Sequence, residues 1–168
     1  MGVLLMVILG IDPGTHCGWC VLHEAGRIDS GTWNLKGGRF EGGGARFLRL
    51  RTYLCQTLDL AKPGLLVFEE VHNHKGTDAA HIYGGIVAVL TEECERRGLP
   101  YRGIPVQTAK KHATGKGNAN KEAMMAAARS KWPGWAGDDN EADARWIATV
   151  AKDEMKGEAG KTAEELFG

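Results

Sequence analysis

The chain has 168 residues, of which 43% are hydrophobic and 25% charged, and its formal net charge at pH 7 is zero. This length predicts one domain with a sizeable core, and no apolar run reaches the roughly 18 residues that a membrane span requires. The apolar start lacks the basic region and the cleavage site of a signal peptide, so a cytoplasmic protein is expected.

The chain opens on an apolar, β-branched run, residues 3–11, which predicts a buried strand leading into Asp12-Pro13-Gly14. Because Pro and Gly turn the chain, this strand ends in a carboxylate. A buried carboxylate is unfavourable unless a cationic partner meets it. Asp12 is therefore either a cap of the turn or a metal ligand, and the second interpretation requires further carboxylates.

Two more strands, 17–23 and 27–35, are expected to complete an antiparallel meander. The Gly-rich segment 36–44 predicts a flexible loop, and residues 45–60 have helical apolar spacing. The four cysteines are expected to be reduced thiols. Cys17 and Cys20, three residues apart on a strand, should lie on opposite faces of the sheet.

The second buried strand, residues 65–71, also ends in carboxylates, Glu69 and Glu70. Successive strand residues face opposite ways, so only one of the two can point at a given site. A helix over 79–97 follows, and its Gly84-Gly85 pair would let another helix approach closely. The remaining elements are predicted as a short strand at 101–106, helices at 119–131 and 140–155, and a polar tail.

This order of elements predicts an α/β fold in which a mixed five-stranded sheet is flanked by helices. We expect residues 1–156 to form the folded domain and residues 157–168 to form the polar C-terminal tail.

The last predicted helix opens on a cluster of acids. Asp139 or Asn140 shares a helix face with Asp143, and Ile147 continues that face toward the sheet. Carboxylates from two strand ends and one helix, without Cys or His, suit Mg²⁺, for which Mn²⁺ would substitute. Such ions commonly serve phosphodiester hydrolysis.

Charge is segregated along the chain. Residues 96–131 contain nine Lys or Arg against one acid, whereas residues 137–168 contain nine acids against four bases. This pattern is typical of a protein that grips a polyanion and holds cations, although a solvated helix face is the alternative. Within the basic block, Gly115 and Gly117 precede a predicted helix start flanked by lysines. That arrangement is either a phosphate site or an ordinary basic loop.

An ordered set of motifs across about residues 7–155 resembles the RuvC family of Holliday-junction resolvases. The motifs are Gly10-Ile11-Asp12-Pro13-Gly14, Phe68-Glu69-Glu70-Val71, the Lys110-to-Lys121 block and Asn140-x-x-Asp143-Ala144. The resemblance implies a ribonuclease H-like fold, a homodimer, and Mg²⁺-dependent, paired symmetric nicking of four-way DNA junctions.

The resemblance also assigns roles by position. Catalysis is assigned to Asp12, Glu69, Asp143 and Lys121. The first three of these would bind metal, with Asn140 or Asp139 completing the set. Contacts to DNA are assigned to Lys110, Lys111, Lys116, Lys121 and His72.

Two departures from the family pattern leave alternatives open. Asn140 stands where relatives usually carry Asp or His, and an amide brings no charge. His72 stands where relatives tend to carry an aromatic that wedges into the junction. A broader branched-DNA nuclease, of the kind found among phage relatives, and a non-catalytic junction-binding protein therefore remain alternatives. An actin-like nucleotide-binding module opens on a similar Gly-Ile-Asp-x-Gly-Thr run, but it needs a second half that 168 residues cannot hold.

Overall fold

The computed structural model describes residues 6–159, which form five strands and five helices. In chain order these are β1 (Ile8–Asp12), β2 (His16–Leu22), β3 (Ile28–Asn34), α1 (Ala45–Ala61), β4 (Leu65–Glu70), α2 (Thr77–Arg97), β5 (Tyr101–Pro105), α3 (Val106–Thr114), α4 (Lys121–Lys131) and α5 (Asp139–Ala159). Residues 3–5 of the first predicted strand and residues 160–168 of the predicted tail lie outside this range. Because α5 runs through residues 156 and 157, the division expected there stays a prediction. Among residues 6–159, none of the helices has the length and apolar character needed to traverse a bilayer.

The sheet is mixed and five-stranded, as predicted, with the strand order β3-β2-β1-β4-β5. β1, β2 and β3 form the antiparallel meander, whereas β4 pairs parallel to β1 and β5 parallel to β4. The parallel register sets Ile11 beside Phe68, so the residues that follow them, Asp12 and Glu69, lie at the same end of two neighbouring strands. Parallel pairing therefore brings two carboxylates together that are far apart in sequence.

The two faces of the sheet carry separate cores. The helices α1 and α2 cover one face, whose buried residues include Leu9, Ile11, Cys17, Leu50 and Leu90. The helix α5 covers the other face, whose buried residues include Ile8, Cys20, Val67, Ile147 and Ala148. Cys17 and Cys20 thus lie on opposite faces, as their spacing predicts, and the four cysteines are free thiols.

Two glycines let α5 lie directly on the sheet. A Cβ added to Gly10 of β1 would lie 2.6 Å from the Ala144 carbonyl oxygen, and one added to Gly18 of β2 would overlap the Asn140 carbonyl. Both carbonyl groups belong to the backbone of α5. The absence of side chains at these positions therefore sets how deeply the first turns of α5 dock.

The segment between β5 and α4 differs from the expectation of a basic loop. Residues 106–114 form the helix α3, in which Ala109 is buried, and Gly115 ends the helix with a φ of 81°. The helix α4 begins at Lys121, two residues later than predicted, because the Asn120 side chain accepts a hydrogen bond from the Ala123 N–H at 2.9 Å. Lys110 and Lys111 consequently lie on a helix.

Candidate active site

Three acidic side chains from three separate elements meet at the edge of the sheet. Asp12 ends β1, Glu69 lies near the end of β4, and Asp143 lies in the second turn of α5. Glu69 and Asp143 are close enough to raise the pKa of Asp12 electrostatically, and Asp12 is only 9% exposed. The structure therefore brings together the three carboxylates that the sequence nominated.

The pKa values of these carboxyls reflect burial and mutual repulsion. Burial is the largest cause that raises the pKa of Asp12 well above its usual value, and the neighbouring carboxylates add to it. A side-chain hydrogen bond between Asp12 and Glu69 raises the pKa of Asp12 further and opposes the burial-driven rise in the pKa of Glu69. Burial likewise raises the pKa of Asp143 to about 7, with Glu69 and Asp139 adding to the rise. The negative charges of these carboxylates are thus poorly compensated when all three groups are ionised.

Two lysines approach the carboxylates across a cleft of about 290 Å³. Lys110 lowers the pKa of both Glu69 and Asp143, which places its charge beside them. The Lys121 Nζ lies 2.7 Å from Asp139 Oδ2, and the Lys121 side chain is 71% exposed. The cleft is lined by Glu69, Val106, Ala109, Lys110, Lys121, Met124, Met125, Asp139 and Asp143.

The other nominated residues lie outside this lining. The Asn140 backbone faces Gly18, whereas Asp139, one residue earlier, lines the cleft. Lys111 and Lys116 are exposed. The His72 side chain is 76% exposed, and its Nε2 lies 3.7 Å from Glu70 Oε2. Glu69 lines the cleft and Glu70 does not, in keeping with the alternation of strand side chains.

Tyr83 of α2 holds the end of β4 in place. Its hydroxyl donates a hydrogen bond to the Glu69 carbonyl at 2.9 Å and accepts one from the Val71 N–H at 3.0 Å. These two bonds fix the backbone on either side of Glu70, directly after Glu69. The sequence gives no signal for this role, because an aromatic residue on an apolar helix is expected to be core.

The first turn of α5 is anchored by a polar network at β3. The Asp138 side chain accepts hydrogen bonds from the Glu141 N–H at 2.8 Å and from the Thr32 hydroxyl at 2.7 Å. Asp138 is therefore the N-cap of this helix. The Arg145 guanidinium lies 5.2 Å from the Trp132 ring, and its Nε donates to the Ser30 hydroxyl. The acidic end of α5 is consequently held against the sheet.

The oxygen donors at this edge fit a hard divalent cation. Within residues 6–159, no three His, Cys, Asp or Glu side chains are already spaced as a complete ligand set. The donors nevertheless comprise only carboxylate oxygens, and burial and repulsion disfavour their ionised forms. A divalent cation would remove that repulsion, and carboxylate oxygens are the ligands that Mg²⁺ and Mn²⁺ prefer.

The order and pairing of the strands define an α/β protein with a ribonuclease H-like fold, as predicted. Residues 8–131 match the family model described as "Crossover junction endodeoxyribonuclease RuvC", and the chain belongs to the RuvC family. This match ends before α5, so the placement of Asp139 and Asp143 rests on the geometry described above.

Curated relatives extend the family assignment. The proteins named crossover junction endodeoxyribonuclease RuvC from Synechococcus sp. (strain WH7803) and Chlamydia trachomatis serovar L2 are 32% and 30% identical to this chain. The first alignment covers 73% of this chain and 80% of the relative, and the second covers 80% and 83%.

Solved structures show the same fold. One is described as Thermus thermophilus RuvC in complex with Holliday junction substrate; it has a TM-score of 0.74 at 24% identity and covers 90% of this chain and 96% of that chain. The yeast mitochondrial Holliday junction resolvase Ydc2 has a TM-score of 0.57 at 18% identity and covers 89% of this chain and 80% of that chain.

Proposed function

We propose that this protein is a metal-dependent endodeoxyribonuclease that resolves four-way (Holliday) DNA junctions by paired, symmetric nicks. The observation that carries the proposal is the meeting of the buried Asp12 with the half-buried Glu69 and Asp143 at the sheet edge. Membership of a family described as crossover junction endodeoxyribonucleases supports the choice of substrate.

Asp12, Glu69 and Asp143 are assigned to hold Mg²⁺, with Mn²⁺ as a substitute. Asp139 is preferred to Asn140 as the additional ligand, because Asp139 lines the cleft and brings a charge. When bound, the cation supplies Lewis-acid stabilisation of the charge on the phosphodiester and on its leaving oxygen.

Lys110 and Lys121 are assigned to the phosphates of the cut strand. A phosphate that accepts a hydrogen bond from Lys121 competes with Asp139 for the same ammonium group, which now pairs with Asp139 at 2.7 Å. Arrival of DNA would therefore release the Asp139 carboxylate into the cleft. Lys111, Lys116 and His72 are assigned to contacts with DNA outside the cleft, because they are exposed and do not line it.

Symmetric nicking requires two copies of the site, and α2 offers a surface for a homodimer. A Cβ added to Gly84 would meet nothing within 4 Å among the described residues, and Ala88, one turn later, is exposed. The neighbouring Gly85 is instead covered by the Phe47 ring of α1. The proposed dimer contact therefore uses the Gly84 face.

The deciding experiment is cleavage of a labelled four-way junction, a replication fork and a matched linear duplex, with Mg²⁺ and with EDTA. Paired symmetric nicks confined to the junction and to Mg²⁺ are expected. Asp12→Asn is the matched control, since it keeps the shape of the side chain and removes its charge. Tight junction binding without nicks in either Mg²⁺ or Mn²⁺ would favour the non-catalytic junction-binding alternative.

A broader branched-DNA nuclease is the second candidate, favoured by the exposed His72 in the loop after β4. Cuts in the fork at rates comparable to those in the junction would support this candidate over the strict resolvase.

A further inference from the structure

The loop between β3 and α1, residues 35–44, presents the most exposed large hydrophobic side chain among residues 6–159. Phe40 is 94% exposed, and the loop around it contains five glycines. A fully solvated Phe ring is unfavourable for the isolated chain. The ring therefore adds little to the packing of this chain and is free to contact a ligand.

Hydrogen bonds give this loop a defined shape while the Phe40 ring stays exposed. The Glu41 carboxylate accepts hydrogen bonds from the Arg49 guanidinium of α1 and from the Gly38 N–H, the latter at 2.7 Å. Arg49 also donates to the Lys36 carbonyl. Hydrogen bonds to Arg49 of α1 thus shape the loop. The Phe40 ring, next to Glu41 in the sequence, is directed away from the protein.

The loop starts at the same edge of the sheet as the carboxylates. The Leu35 N–H donates to the Thr15 carbonyl at 2.8 Å, and Thr15 belongs to the turn that directly follows Asp12. Strand pairing also sets Asn34, the last residue of β3, beside His16. The loop therefore starts beside the turn that follows Asp12, and DNA bound at Asp12 would lie near it.

The charge of the loop suits a polyanion. Lys36, Arg39 and Arg46 lie in or directly after it, and its single acid, Glu41, is already paired with Arg49. The Arg39 guanidinium lies 5.5 Å from the centre of the Phe40 ring. An exposed aromatic ring flanked by cations is the combination with which proteins stack on an unpaired base and hold its phosphates.

We propose that Phe40 stacks on an unpaired or splayed base of the bound DNA while Arg39 contacts the adjacent phosphate. The proposal rests on the function proposed above, since the DNA must lie across the end of the sheet that carries Asp12. At the crossover of an open four-way junction the stacking between neighbouring base pairs is interrupted, so a base there is splayed more easily than in a continuous duplex.

The test uses the full chain with Asp12→Asn, which holds DNA uncut, and junctions carrying 2-aminopurine at the crossover. Binding should change the 2-aminopurine fluorescence. Phe40→Ala should abolish this change and weaken junction affinity about 5- to 100-fold, whereas Phe40→Trp should preserve both. Leu60→Ala is the matched control: Leu60 is 87% exposed, but it lies at the far end of α1.

Unchanged fluorescence and affinity in Phe40→Ala would overturn the proposal. An equal loss of affinity for linear duplex would also overturn it, because a duplex presents no free base. A shift in sedimentation without a change in DNA binding would assign Phe40 to a protein contact instead. The fluorescence reports binding rather than cleavage, so a wild-type protein that bound DNA without nicking it would count against the proposed nuclease and leave this readout intact.

Discussion

Replacing Gly10 with Ala tests whether the docking of α5 sets the geometry of the site. The added methyl would lie 2.6 Å from the Ala144 carbonyl oxygen, 3.0 Å from the Ala148 Cβ and 3.1 Å from the Ala148 nitrogen. Ordinary contact begins near 3.4 Å, so α5 must move by about 0.8 Å. Asp143 immediately precedes Ala144 and would move with it.

This displacement should reduce the rate more than the affinity. Misplacing a reacting group by about 1 Å can cost roughly 100-fold in rate, and overpacking typically costs about 1–3 kcal/mol of stability. We expect the single-turnover nicking rate of Gly10→Ala to fall about 10- to 100-fold. Junction affinity measured in EDTA should stay within about threefold, because Lys110 and Lys121 belong to α3 and α4.

The control is Gly157→Ala on the same helix, where an added Cβ meets nothing within 4 Å. It should nick at the wild-type rate. A folded Gly10→Ala protein that nicks at the wild-type rate would refute the reasoning, since the position of Asp143 would then not depend on this contact. Circular dichroism would separate a displaced helix from a loss of the fold.

Four further outcomes are expected. Asp12→Asn should abolish nicking while junction binding survives; nicking retained by a homogeneous preparation would rule out the carboxylate centre. In EDTA the Tm should fall as pH rises from 5 to 7. The folded state keeps the Asp143 proton up to a pKa of about 7, whereas the unfolded chain loses it near 3.8, so each unit between them costs up to about 1.4 kcal/mol. A Tm that is flat across this range, or that Mg²⁺ fails to raise at pH 8, would contradict this account of the cluster. Lys121→Ala should lower both junction affinity and rate and reduce the salt slope by about one; unchanged affinity at moderate salt would argue against its phosphate role. Gly84→Arg should convert a dimer into a monomer in sedimentation, and an intact dimer would place the interface elsewhere.

Most of the architecture is predictable from local patterns. The runs at residues 7–11 and 65–68 are apolar, bounded by turn residues, and lie in the sheet interior as β1 and β4. The site follows from the same logic, since Asp12 and Glu69 are polar residues that interrupt buried strands at their ends. Only the parallel pairing of β1 and β4, which is not local, was needed to bring them together.

The helix α3 is hard to predict from the sequence because its charged residues hide a weak apolar pattern. Val106, Ala109 and Ala113 have helical spacing, and Gly115 is a typical helix terminator, but Lys110 and Lys111 dominate the composition. The spacing of these apolar residues, rather than the overall polarity of the segment, is the signal for this helix.

The sequence alone does not decide whether Asp139 or Asn140 faces the cleft. Adjacent residues in the first turn of a helix point about 100° apart, so the direction of each depends on how the helix docks. That docking is decided at Gly18, where the Asn140 backbone meets β2. Contact between two distant elements, rather than any local preference, therefore turns Asp139 to the cleft.

The order in which the carboxylates occur along the chain has a consequence for the newly made protein. Asp12 and Glu69 leave the ribosome early, but Asp143 lies on α5, the last element of the described fold. Domains fold as units, and contacts between distant segments form late. A growing polypeptide consequently carries an incomplete centre until α5 has emerged and settled on Gly10 and Gly18. On the proposed assignment of the three carboxylates to the cation, a growing chain could not cut nucleic acid before α5 has folded onto the sheet.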